Sequence, residues 1–87
     1  MADVVGQYVL YPNPAGEEVF IMGGNESATT IIITDITGKV EMKENIIISA
    51  GVPYKLDISS LSSGLHIATI ISGDSSETQR LMVTSHK

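Results

Sequence analysis

Apolar and polar residues alternate with a period of two along most of the chain, in short runs broken by clusters of Gly, Pro, Asn, Asp and Ser. That spacing belongs to strands, whose successive side chains point to opposite faces; no stretch reads as an amphipathic helix. YVLY, from Tyr8 to Tyr11, reads as the opening strand. Pro12 and Pro14 follow, and neither can donate to a β-ladder, so the strand must stop there. Asn13 precedes Pro14 and is pushed to an extended conformation, which makes the segment a stiff crossover with little entropy to lose on folding.

EEVFIM, Glu17 to Met22, reads as the second strand, closed by a GGNES turn. TTIIITD, Thr29 to Asp35, is the third, and its three consecutive isoleucines predict burial on both faces. ITGK is a tight turn with Gly38 suited to a positive φ. Two shorter strands follow, Val40 to Lys43 and Ile46 to Ser49, on either side of Glu44 and Asn45. After an AGVP turn, YKLDI alternates from Tyr54 to Ile58. SSLSSG, Ser59 to Gly64, is a corner with room for one helical turn around Leu61. LHIATIIS, Leu65 to Ser72, is the longest strand, and GDSSE reads as a hairpin loop. TQRLMVT, Thr78 to Thr84, is the last strand, with Leu81 and Val83 facing in and Arg80 and Met82 facing out. Short strands with turn signals about every 8–12 residues predict an all-β sandwich of about seven strands.

Composition narrows the function classes. The 87 residues make one small domain, and 43% of them are apolar, enough for a packed core. Cysteine is absent, so stability rests on packing and hydrogen bonds. A net charge of −5 argues against nucleic acid and against an anionic membrane surface, both of which need clustered Lys and Arg. No apolar run approaches the roughly 20 residues of a membrane helix, so direct membrane insertion is not expected. Residues 1–7, MADVVGQ, lack both strand pattern and the basic-then-apolar order of a signal peptide. They read as a linker, a processing region or an expression remnant, ahead of a domain over 8–87.

Candidate chemistry is sparse. No motif marks a Ser or Cys nucleophile with a base and an orienter, so an enzyme is not expected. His66 and His86 lie far apart without ligand-spaced neighbours. Asp35, Asp57 and Asp74 lack close acidic partners for calcium; Asp35 and Asp74 are expected to bond their own turn backbones. Thr37, Gly38 and Lys39 are not a phosphate loop, because no Gly stands five positions before Gly38 and Val40 follows where Ser or Thr is required. No cofactor or metal is expected.

Three segments carry more. LYPNPAGEEVFI contains Tyr11, Pro12, Asn13 and Pro14; ITDITGKV contains Asp35, Gly38 and Lys39; LDISSLSSGLHIATI contains Leu61, Gly64, Leu65 and Ile67. RLMVTSHK adds Arg80, Leu81 and Val83 and ends on the basic Lys87. In this order and at this spacing the chain, from Tyr8 to Lys87, resembles the C-terminal sorting domain of cargo proteins of the type IX secretion system of Bacteroidota. The resemblance implies an immunoglobulin-like antiparallel β-sandwich that serves as an address. It implies as partners an N-terminally fused cargo, the outer-membrane translocon with its shuttle proteins, and a cysteine-dependent sortase that takes this domain as substrate. It further implies transit through the periplasm to the cell surface or medium, with cleavage before Tyr8. The residues just named are then the candidate recognition positions.

Where that family usually has Tyr or Phe, this chain has His66. In immunoglobulin domains a Tyr there ties a corner to upstream backbone, and His66 is expected to make the equivalent bond through a ring nitrogen. The last strand has two readings: an open edge able to extend a partner's sheet, or a paired strand whose loss unfolds the domain. The rival function is an immunoglobulin-like adhesion or carbohydrate-binding module, with Tyr8, Tyr11, Phe20 and Tyr54 as its available aromatics.

Overall fold

The computed structural model describes residues 8–84; the expectations for residues 1–7 and for Ser85, His86 and Lys87 lie outside them. The described residues form seven strands: β1 Tyr8–Tyr11, β2 Glu18–Gly23, β3 Ser27–Thr34, β4 Val40–Ile48, β5 Tyr54–Asp57, β6 Gly64–Ser72 and β7 Ser75–Val83. They build two antiparallel sheets, ordered β1-β2-β5 and β4-β3-β6-β7. The all-β, seven-stranded sandwich predicted from periodicity is what forms. Its fourth strand joins the third rather than the fifth, which differs from the constant-type immunoglobulin arrangement.

The inner faces interdigitate to form one core. Val19 and Ile21 of β2 and Leu56 of β5 pack on Ile31, Ile33, Ile46, Ile48, Ala68, Ile70, Leu81 and Val83 of the larger sheet, all buried. Fully burying each such aliphatic side chain stabilises by about 1.5–3 kcal/mol. Tyr8 joins the core edge, where its hydroxyl meets Ser27 Oγ at 3.1 Å.

Four local expectations are corrected. The isoleucine run of β3 is buried on one face only: Ile31 and Ile33 point in, while Ile32 is half-buried on the outside. The reason is architectural, since the smaller sheet covers only one side of β3. The two strands expected around Glu44 and Asn45 are one continuous β4, paired with β3 throughout. Glu44 sits across from the inward Ile31, yet β4 is an edge strand and water reaches the carboxylate. The GDSSE loop shrinks to the turn at Gly73 and Asp74, because Ser75 and Ser76 pair with Ser72 and Ile71. The corner at Leu61 makes no helical turn; Leu61 N–H donates to the Ile58 carbonyl at 3.0 Å, and its side chain is buried.

Candidate recognition site

The lead-in between β1 and β2 lies along the free edge of the last strand. Asn13 Nδ2 donates to the Arg80 carbonyl at 2.9 Å, and Met82 N–H donates to Asn13 Oδ1 at 3.0 Å. One side-chain amide therefore stands in for a peptide group of a neighbouring strand. Ala15 continues the ladder: its N–H donates to the Met82 carbonyl and its own carbonyl accepts from Thr84 N–H, each at 2.8 Å. The contact is a parallel bridge between Ala15 and Val83, and Ala15 is fully buried. Pro12 and Pro14 flank Asn13, both after cis peptide bonds, and bring no N–H that would need a partner here. Of the two readings of the last strand, the edge from Arg80 to Thr84 is occupied from within the domain.

The ITDITGKV segment is a turn built by its aspartate. Asp35 Oδ1 accepts from Thr37 N–H at 2.8 Å, Thr37 Oγ1 at 2.6 Å and Lys39 N–H at 3.0 Å. The Thr37 hydroxyl first, with the Lys39 amide, holds the Asp35 carboxyl below its ordinary value. This is the turn-bonding role expected for Asp35. Gly38 adopts φ 96°, a conformation that suits glycine, and Lys39 projects into solvent. Asp57 does similar work at the next corner, its Oδ1 accepting from Ser59 N–H at 2.9 Å, and that bond lowers its pKa.

The third segment meets the first two at the same end of the sandwich. Gly64, at φ 131°, pairs with Val83, and Leu65 pairs with Met82. His66 is 2% exposed, and its Nε2 lies 2.9 Å from the Ser62 carbonyl. A carbonyl only accepts, so Nε2 carries the proton. The corner bond expected of His66 is therefore made. Glu41 Oε1 lies 2.8 Å from the other ring nitrogen, Nδ1, off the direction in which an N–H would point, so the contact is not an aligned hydrogen bond. Glu41 reaches inward because the β3–β4 register shifts between Ile33 and Thr34, an irregularity that turns one extra residue of β4 toward the core.

The structure thus gathers Asn13, Pro14, Asp35, Gly38, Lys39, Leu61, Gly64, Leu65, Arg80, Leu81 and Val83 near one end and one edge. Leu81 and Val83 are core residues, as expected, with Arg80 and Met82 outward. Tyr11, at the end of β1, stacks on Phe20 with ring centroids 5.6 Å apart and an interplanar angle of 26°. Sequence reasoning missed Ala15, Thr84 and Glu41. Ala15 and Thr84 act through their backbones, which leave no compositional signal. The one hint for Glu41 was an acidic residue breaking the alternation of β4.

The described residues form an immunoglobulin-like sandwich whose motifs close its own corners and edges. The chain belongs to the family of secretion system C-terminal sorting domains, whose family model matches residues 9–84. It is a type IX sorting signal, which engages the type IX machinery for export toward the surface or the medium. No individually curated protein matches the chain.

Proposed function

We propose that this domain is the terminal label of a cargo fused upstream of Tyr8, passed through the periplasm to the outer-membrane translocon and removed there by a sortase that cleaves before Tyr8. The observation that carries the reading is the closure of the opening motif on the last strand through Asn13 and Ala15. It makes one folded unit of segments almost 70 residues apart, with |i−j| of 67 and 69 across the Asn13 bonds. In this reading Tyr11, Pro12, Asn13, Pro14, Leu61, Gly64, Leu81 and Val83 shape the label, while Lys39 and Arg80 are exposed contacts. Fusing the domain behind a signal peptide and a reporter should deliver the reporter to the surface of a type IX host. Equal delivery in a strain lacking the translocon would overturn the reading. Mass spectrometry of the released cargo should place the cut in or before residues 1–7.

A glycan-binding reading draws on the Tyr11–Phe20 stack. Retention of the isolated domain on a glycan array, lost in Tyr11→Ala, would favour it.

A further inference from the structure

The face of the four-stranded sheet turned away from the core carries an apolar cluster, set among threonines, at its Gly64 end. β6 presents Leu65, Ile67, Thr69 and Ile71 outward, three of the four apolar, between the inward His66, Ala68 and Ile70. Leu65 stands opposite Met82, and Ile67 stands between Thr34 and Arg80. Thr34 in turn pairs with Val40. Leu65, Met82 and Val40 are 37%, 38% and 55% exposed. An antiparallel sheet with one solvated face ordinarily alternates apolar-in and polar-out, and β6 breaks that alternation on the solvated side.

Charge sorts onto the same face. The chain carries a net −5, yet the charged residues at outward positions of this sheet are Lys43 and Arg80. Glu44 lies across from the inward Ile31 and Glu77 across from the inward Ile70, while Glu41 turns in to His66. The preceding chain joins at Tyr8, which clusters with Ser27 and Ser72 at the end remote from Gly64 and Val83. The Leu65–Met82 pair lies at the opposite end of the sheet from that junction.

We propose that this face docks a protein surface of the export machinery that is aliphatic at its centre and acidic at its rim. The proposal rests on the reading of the domain as an export label. Aliphatic side chains without an aromatic platform suit a protein's apolar patch rather than a sugar ring. The two flanking cations favour an acidic rim, which steers encounter and sets orientation.

The test uses the reporter fusion with Leu65→Glu and, separately, Arg80→Glu; Val9→Glu on the opposite sheet is the control. Thermal melts of each purified domain establish folding. Wild type and Val9→Glu should reach the surface, while both face variants stay in the periplasm with surface signal down about tenfold, the loss of one central contact. Folded variants exported at the wild-type level would overturn the proposal and leave the export reading standing. A wild-type fusion that is not exported overturns both. If Leu65→Glu unfolds, Arg80→Glu decides. Binding of the wild-type domain to phosphatidylglycerol vesicles, lost in Arg80→Glu, would assign the face to lipid instead. A dimer in sedimentation that dissociates in Leu65→Glu would assign it to a second copy. Either result overturns the proposal.

Discussion

At the scale of single residues, a few polar side chains do structural work that backbone does elsewhere. Asn13 both donates and accepts, and replacing it leaves the Arg80 carbonyl and the Met82 N–H without partners from the lead-in. Asn13→Ala should cost about 1–2 kcal/mol in urea unfolding. Asn13→Asp keeps the acceptor but sets a carboxylate against a carbonyl, so it should be at least as damaging. His66→Ala loses the Ser62 bond and opens a void at a site that is 2% exposed, which predicts a loss of about 2–4 kcal/mol. Asp35 and Asp57 bring a pH dependence. Both carboxyls are held below their ordinary value, by the Thr37 hydroxyl and the Ser59 amide respectively. Their stabilisation is present above the unfolded value of about 3.9 and is lost as pH falls through the lower folded values. The melting temperature should therefore fall as pH drops below about 4, and Asp35→Asn should reduce that fall.

At the scale of elements, glycines mark where strands come closest and where they turn. Gly23 pairs with Tyr8, and a Cβ there would lie 2.8 Å from the Tyr8 ring and 3.3 Å from Ile48. Gly23→Ala should destabilise by about 1–3 kcal/mol, read from the shift in denaturation midpoint. Gly64 enters β6 at φ 131° with open space where a Cβ would lie, so the penalty in Gly64→Ala is one of backbone conformation. Strands with one wet and one dry face were legible in the sequence: the alternation of β7 gave Leu81 and Val83 their correct side. The strand β4 was not legible as one piece. It is an edge strand with a register shift, and its inward Glu41 and Glu44 are wetted or paired, so apolarity no longer reports facing. The triple isoleucine of β3 misled for a related reason, since propensity for strand was read as burial and Ile32 faces out.

At the scale of the whole molecule, the two edges of the larger sheet are protected differently. The β7 edge is covered by Asn13 and Ala15, and the β4 edge carries Glu41, Lys43 and Glu44 with a register shift, devices that discourage strand addition. Ending the chain at Arg80 removes the fully buried Leu81 and Val83. Circular dichroism of that truncation should show loss of the cooperative transition, and its export should fail with it. The recognition motifs were legible as separate words in the sequence. Their meeting was not, because a contact between Asn13 and Met82 leaves no periodic trace across their separation of 69 residues.

That clasp between head and tail has a consequence for how the molecule comes into being. While the last residues are missing, Asn13 and Ala15 have nothing to hold, and the sheet beside β6 lacks its final member. The finished shape therefore exists only once β7 has been made, and a chain interrupted before it lacks the fold on which the sorting family is built.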